Sequence, residues 1–198
     1  MDFLNAIILI SNFIIVPAIT YGSQLALGAI GVTLIYGVLR FANFAYGDLM
    51  AFATMIVILT TWYLQSIGIS LGFLPTALLA LPIGILVTIG ISLFFDKTVF
   101  EYYRNKKANS VTFIVVSLGL MFVLNAIVRI IIGPGNVNFM DGHKFIMKAR
   151  EFKDLTGLNE GLAIKSTQII TLITTIITCS LLFYFLNKTK TGKSMRAY

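Results

Sequence analysis

The residues of this chain that could do chemistry at membrane depth are concentrated in one short interruption of a long apolar run. The interruption lies within residues 33–48 and contains Arg40, Asn43, Tyr46, Gly47 and Asp48. A charged or amide side chain at bilayer depth costs about 3 kcal/mol or more unless it faces protein or water, so such residues mark a functional site. Broken helices near the membrane midplane also present backbone groups to a transported substrate. We therefore predict that this segment breaks a helix and borders a substrate pathway.

Asp48 is the one acidic residue that the sequence places at membrane depth, and three roles are open to it. It could be a pathway carboxylate or one linked to proton movement. It could instead be a structural partner of Arg40, or an N-cap of the helix that follows. Its position just before an apolar run favours the cap without excluding the other two roles.

The sequence contains no recognisable catalytic or metal-binding set. The one histidine, His143, lies in a polar segment, and the one cysteine, Cys179, lies in an apolar run, which excludes a disulfide framework and a Cys-rich metal site. The sequence TGKS at Thr191–Ser194 resembles the end of a phosphate-binding loop, but Asn187 stands where that pattern requires its first glycine. We expect no catalytic residue, no metal and no cofactor bound by the chain itself.

The composition predicts an integral membrane protein. Hydrophobic residues make up 58% of the chain and charged residues only 12%, whereas soluble domains carry about 25% charged residues. A net charge of +7 could suggest nucleic acid, but the basic residues collect between the apolar runs, where the positive-inside rule places them. We expect the partner to be the lipid bilayer and not a nucleic acid.

The elements that position the polar interruption are apolar runs close to the ~20 residues that cross a bilayer. They predict an all-α polytopic helical membrane protein with about five transmembrane helices, one of them broken near Arg40–Asp48. Residues 3–19 would add a sixth span if they cross separately, or else form the irregular start of the first. Small residues that recur at spacings of three or four in the first span predict a face for close helix packing; we assign it to Gly22, Gly31 and Gly37.

The charged segments between the spans predict the orientation. Residues 96–109 and 187–198 each carry four basic residues, so both are expected to be cytoplasmic, and residues 133–165 then form a periplasmic loop. A brief amphipathic helix on the membrane surface is expected within residues 96–109. Arg129, near one end of the fourth span, is expected to extend toward the interface.

One segment of the sequence resembles a known family. Leu27–Leu49 is similar to the N-terminal signature of the permease subunits of branched-chain amino acid ABC importers, which reads Gly-x-Thr-x-x-Tyr-Gly and then Asn-Phe-Ala-His-Gly-Glu. The matching residues are Gly31, Thr33, Tyr36, Gly37, Asn43, Phe44, Ala45 and Gly47. Tyr46 replaces the histidine and Asp48 replaces the glutamate, so the acidic charge is kept while a titratable imidazole is lost. A second match covers Thr189–Ala197, and a third, weaker one covers Ser117–Leu120.

The resemblance implies a non-catalytic permease subunit of an ATP-driven importer that moves branched-chain or other hydrophobic amino acids across a bacterial inner membrane. It implies a second permease subunit, identical or related, two cytoplasmic ATP-binding subunits that hold ATP and Mg, and a periplasmic amino-acid-binding protein. The segment at the cytoplasmic C-terminus corresponds to the family's lead-in to the ATPase-coupling helix and includes Gly192, Lys193, Met195 and Arg196. Family members are longer, so residues 1–198 are expected to be the N-terminal part of a single permease domain.

Two other functions remain open at this stage. The chain could be a secondary transporter or channel driven by an ion gradient, with Asp48 as the coupling carboxylate. It could also be a membrane assembly protein that forms no pathway of its own.

Overall fold

The chain folds almost entirely into helices. The computed structural model describes residues 2–72, 74–137 and 145–197. Its α-helices are α1 (Asp2–Ile10), α2 (Val16–Leu39), α3 (Ala45–Ser66), α4 (Ala77–Phe95), α5 (Glu101–Asn105), α6 (Ser110–Ile132), α7 (Ala149–Thr156), α8 (Ser166–Lys188) and α9 (Lys190–Ala197). Two π-helical turns, Ser11–Ile15 and Asp96–Phe100, join α1 to α2 and α4 to α5, and two short strands, β1 (Phe145–Met147) and β2 (Ile164–Lys165), pair antiparallel.

Five helical stretches of the described residues are long and apolar enough to cross a membrane. They are Phe3–Leu39, Ala45–Ser66, Ala77–Asn105, Ser110–Ile132 and Ser166–Lys188. The prediction of an all-α polytopic membrane protein with a break after the first long helix is therefore confirmed. The large share of apolar side chains that remain exposed on these helices is the surface that lipid is expected to cover.

Residues 3–19 belong to the first long helix and do not form a separate span. The helix passes through the π-helical turn at Ser11–Ile15 and continues into α2. Pro17 is the second residue after this turn. Since proline has no N–H to donate to the preceding turn, a locally widened helix is a common way to accommodate it. The whole stretch has 37 residues, or about 55 Å at 1.5 Å per residue, which exceeds the ~30 Å of hydrocarbon.

Residues 96–105 do not form the separate surface helix that was expected within residues 96–109. Instead, α4 continues through the π-helical turn into α5 and ends only at Asn105. Phe100, which a surface helix would have turned toward lipid, is buried with 8% of its surface exposed. The helix ends where Lys107 adopts a positive φ of 51°. The cytoplasmic side of this segment remains a prediction.

One compact unit of the chain, residues 32–142, has α3 at its centre. α3 packs against α4 on one side and α6 on the other. Its buried core consists of Ala45, Phe52, Met55 and Leu124. On α4, Gly84 lies so close to Val57 of α3 that a Cβ at this position would overlap the valine methyl group. Close glycine packing therefore occurs between α3 and α4, where the sequence analysis had not placed it.

Two of the three glycines predicted to form a packing face, Gly22 and Gly37, have no such neighbour among the described residues. A Cβ at Gly22 or at Gly37 would meet nothing within 4 Å. The packing role of Gly22, Gly31 and Gly37 therefore stays a prediction.

The other compact unit comprises residues 1–31 and 143–198. Here asparagines of the first helix hold the segment that precedes α8. The backbone N–H of Ala163 donates to Asn12 Oδ1 at 3.3 Å, and that of Glu160 donates to Asn5 Oδ1 at 3.4 Å. The polar residues near the N-terminus thus have partners far along the chain, which accounts for their presence in an apolar helix.

Candidate functional site

The break between α2 and α3 begins with a residue in a left-handed conformation. α2 ends at Leu39, and Arg40 follows with a φ of 58°. The Arg40 N–H closes the last helical turn by donating to the carbonyl of Tyr36 at 2.9 Å. Few residues other than glycine adopt positive φ, and those that do often stand directly after a helix, where they reverse the chain direction. Arg40 therefore ends the first span abruptly.

Asn43, and not Asp48, caps the helix that follows the break. The Asn43 Oδ1 atom accepts a hydrogen bond from the Ala45 N–H at 3.1 Å, and the Asn43 carbonyl accepts one from Tyr46 N–H at 3.4 Å. The predicted cap at Asp48 is therefore wrong. Asp48 lies within the first turn of α3, where a negative charge is favourable near the helix N-terminus.

A side chain of the fourth span satisfies one backbone group that the break exposes. The N–H of Phe44 donates to Ser117 Oγ at 3.2 Å, and the Ser117 hydroxyl donates to the carbonyl of Ile114 at 2.8 Å. Ser117 is fully buried and lies seven residues into α6, about 10 Å from the start of that helix. The break therefore lies beside the interior of a span and not at its end.

Asp48 belongs to a chain of polar side chains that links α3 to α6. Asn125 Nδ2 donates to Asp48 Oδ1 at 2.8 Å, and Arg129 Nε donates to Asn125 Oδ1 at 2.7 Å. Because its amide both donates and accepts, Asn125 connects the carboxylate to the guanidinium. The predicted pairing of Asp48 with Arg40 is thus replaced by a partner that the sequence analysis missed, and Arg129 turns toward Asn125 although it is exposed.

A cavity of about 310 Å³ opens at the break. It is lined by Ile35, Leu39, Phe41, Asn43, Ser92, Asp96, Phe100, Arg104, Ser110 and Phe113. A smaller cavity of about 80 Å³ shares Ile35, Asn43, Ser92 and Phe100 with it and also includes Tyr46. The ends of α2 and α4, the start of α6 and the break itself therefore surround one polar and aromatic space.

Three phenylalanine rings form one wall of the larger cavity, hereafter the aromatic wall. The centroid of Phe41 lies 5.1 Å from that of Phe113 and 6.0 Å from that of Phe100. The Phe100 and Phe113 centroids are 6.5 Å apart. These distances fall within the range of favourable aromatic pairs, so the rings hold one another in place.

An ion pair also lines the larger cavity. Arg104 donates from Nη1 to Asp96 Oδ1 and from Nη2 to Asp96 Oδ2, both at 2.8 Å. The two side chains remain 46% and 48% exposed, so the pair is accessible and adds little to stability. The π-helical turn between the two residues brings them together although they are eight positions apart in sequence.

The five residues predicted for the pathway do not form a single cluster. Asn43 lines both cavities and Tyr46 lines the smaller one, whereas Asp48 belongs to the polar chain with Asn125. Arg40 and Gly47 are exposed. The lining of the two cavities at the break includes neither of them. Their roles in transport remain predictions.

The C-terminal residues predicted to contact an ATPase form a short separate helix. The N–H of Gly192 donates to Thr189 Oγ1 at 3.0 Å, which caps α9. A Cβ at Gly192 would overlap the Phe185 carbonyl and lie 2.7 Å from Leu186 Cα, so the glycine allows α9 to fold back against the end of α8. Lys193 and Met195 are exposed, and the Arg196 side chain lies outside the described residues.

The described residues include no group of three or more His, Cys, Asp or Glu side chains that could hold a metal ion. The site is therefore a set of cavities beside a broken helix, with amide, hydroxyl, aromatic and paired charged groups in its walls. Such a set can bind and orient a small ligand.

Comparison with known proteins identifies one family. Residues 14–198 match the family described as branched-chain amino acid transport system, permease component. Neither a curated protein nor a solved structure matches the chain. The matched range includes the break, both cavities at it and the polar chain through Asn125.

Proposed function

The chain belongs to the family of permease components of branched-chain amino acid transport systems, and we propose that it is a transmembrane subunit of an ATP-driven importer for branched-chain and other hydrophobic amino acids. The observation that carries the proposal is the broken helix within this family match. The break opens a cavity inside a helical membrane protein, and its residue Asn43 both caps the next helix and lines that cavity.

The mechanism that we propose uses the break as a joint between rigid helices. α3 is tied to α6 by the Asp48–Asn125 and Phe44–Ser117 hydrogen bonds. α2 ends at Leu39, before these contacts, so α3 and α6 can move together as one body. Closure of partner ATPases would then rock this body between inward-open and outward-open states around the cavity.

The partners in this proposal are a second permease subunit, two cytoplasmic ATP-binding subunits and a periplasmic amino-acid-binding protein. ATP and Mg would be held by the ATP-binding subunits. The short helix α9 would approach the ATPase, and its exposed Lys193 and Met195 would be the first side chains to meet it. This arrangement requires residues 187–198 to be cytoplasmic in a bacterial inner membrane.

Reconstitution of the complex in proteoliposomes tests the proposal. The chain is assembled with the second permease subunit and the ATP-binding subunits, and the binding protein is added outside. Uptake of radiolabelled leucine is then measured with ATP or a non-hydrolysable analogue inside. We expect uptake only with hydrolysable ATP, and no change when an ionophore abolishes the ion gradients. Uptake that collapses with the ion gradient at constant ATP would instead support a secondary transporter.

The contribution of the break is tested by Asn43→Ala. Removal of the amide deletes both the cap of α3 and a polar group of the cavity wall, so uptake should fall by about tenfold. Assembly with the partners should remain normal, because one helix cap stabilises by only about 1 kcal/mol. Asn136→Ala is the matched control, since Asn136 is exposed and far in sequence from the break. Equal uptake by the two variants would remove Asn43 from the pathway.

A further inference from the structure

The larger cavity at the break contains a positive and a negative group that are already paired. Arg104 uses two of its five N–H donors for Asp96, and the Asp96 carboxylate uses one lone pair on each oxygen in return. Since both side chains are about half exposed, the remaining donors and lone pairs face accessible space. A ligand can therefore bind to both groups without separating them.

The charge of the pair selects a class of ligand. Together, the guanidinium and the carboxylate carry no net charge, so the cavity has no general attraction for cations or anions. A ligand that carries both charges close together can place its carboxylate on Arg104 and its ammonium on Asp96. The α-carboxylate and α-ammonium of an amino acid have this arrangement.

The aromatic wall supplies the apolar part of the site. Phe41 and Phe100 are buried, Phe113 is half-buried, and all three line the cavity. The volume of about 310 Å³ is at the lower limit for small-molecule pockets. The space therefore suits a small ligand with one compact apolar group.

The other large cavity of the described chain lacks this combination. It has about 360 Å³ and lies between α3 and α4, with a lining of aliphatic residues, Gly84, Thr54 and Thr88. None of its lining residues is charged. Of these two cavities, the one at the break joins paired charges to an aromatic surface.

We propose that Arg104 and Asp96 bind the carboxylate and the ammonium of a zwitterionic amino acid, and that its apolar side chain rests on the aromatic wall. This site rests on the proposed function, since it would hold the transported amino acid at the end of the pathway next to the break. It also explains why a charged pair that adds little stability lies at this position.

Equilibrium binding to the purified chain in lipid nanodiscs tests the assignment. The probes are radiolabelled leucine and two competitors, leucinamide, which lacks the carboxylate, and 4-methylpentanoate, which lacks the ammonium. We expect the wild-type chain to bind leucine at least tenfold more tightly than either competitor, because each competitor leaves one member of the pair without a ligand partner.

Two variants should change the order of the three ligand affinities in opposite directions. Arg104→Gln leaves the carboxylate alone, so the cationic leucinamide should bind more tightly than leucine. Asp96→Asn leaves the guanidinium alone, so the anionic 4-methylpentanoate should bind more tightly than leucine. A residue with a merely structural role would weaken all three ligands together and would not reverse their order.

Controls separate folding from recognition. Lys97→Gln removes an exposed positive charge beside Asp96 without touching the cavity, and should keep the wild-type ranking. The double exchange Asp96→Arg with Arg104→Asp retains a pair and should also keep it, even if a single variant folds poorly. An unchanged ranking in both single variants would overturn the proposal, as would the absence of saturable leucine binding to the folded wild-type chain.

A lipid headgroup is the competing occupant, and the same samples reveal it. Phosphatidylethanolamine would then co-purify with the wild-type chain but not with the two variants, and leucine would not displace it. That result would overturn the assignment in favour of a lipid. In the reconstituted importer, ATP-dependent uptake with unaltered selectivity in both variants would refute this site alone. A lack of ATP-dependent uptake, with leucine still bound as described, would refute the proposed function alone.

Discussion

Replacement of Asn125 by leucine should weaken the contact between α3 and α6. Asn125 is the only link in the polar chain between Asp48 and Arg129 that the described residues show. Leucine has a similar size but can neither donate nor accept a hydrogen bond. The substitution therefore removes the polar contact and leaves the packing volume nearly unchanged.

Two contributions determine how much Asn125→Leu lowers the free energy of unfolding. An interhelical hydrogen bond in a membrane protein stabilises by about 0.6 kcal/mol on average, and a carboxylate that loses its donor costs a further ~1–3 kcal/mol. Because Asp48 is half-buried, the lower part of this range applies, and Asn125→Leu should lower the free energy of unfolding by about 2 kcal/mol.

A double variant provides the sharper measurement. When Asp48→Leu is added to Asn125→Leu, no unpaired carboxylate remains, and apolar replacement of both partners should be nearly neutral. The double variant should therefore be more stable than Asn125→Leu alone, with a coupling energy of at least ~1 kcal/mol. Equilibrium unfolding in mixed micelles with increasing dodecyl sulfate measures all four proteins.

Two results would refute this reasoning. If the effects of the two single substitutions simply add, Asp48 and Asn125 do not interact in the folded protein. If Asn125→Leu unfolds within about 0.5 kcal/mol of the wild type, the polar chain contributes nothing to the α3–α6 contact. Asn136→Leu, at an exposed position, gives the baseline for loss of an asparagine.

Two glycines yield further predictions. Gly84→Ala should destabilise the α3–α4 contact by about 1–3 kcal/mol, because the added Cβ overlaps Val57. The control Gly90→Ala, at an open position of the same helix, should be neutral or slightly stabilising. The same unfolding assay compares the two variants, and equal stabilities would contradict the packing argument. Gly192→Ala should push α9 away from α8 and speed trypsin cleavage between the two helices by several-fold. The exposed control Met195→Ala should leave the cleavage rate unchanged. Equal rates for the two variants would show that the packing of α9 against α8 does not depend on the glycine.

The spans and the break could be predicted because hydropathy and local polarity are properties of adjacent residues. The interruption at Arg40–Asp48 stands out in any apolar sequence, and the lipid requirement for satisfied backbone groups allows only helices on either side of it. The partner of Asp48 could not be predicted in the same way, since it depends on the register between α3 and α6. A signal was present, however, because Asn125 and Arg129 are four residues apart on one face of an otherwise apolar helix.

The ion pair escaped the sequence analysis for a different reason. Asp96 and Arg104 are eight residues apart, a spacing at which two side chains of a regular helix lie more than two turns from each other. The π-helical turn at Asp96–Phe100 changes the positions of the two side chains relative to a regular helix. No local sequence pattern predicts such a turn. The same turn continues the helix where a polar composition suggested a surface segment, so both errors have one cause.

The hydrogen bonds between the first helix and the segment before α8 have a consequence for biosynthesis. Asn5 and Asn12 pair with residues 149 to 155 positions later in the chain. At about 5–20 residues per second, the ribosome needs roughly 10–30 s to make that intervening length. Asn5 and Asn12 are thus made long before the backbone groups that they bind, and these hydrogen bonds can form only after translation has passed residue 163.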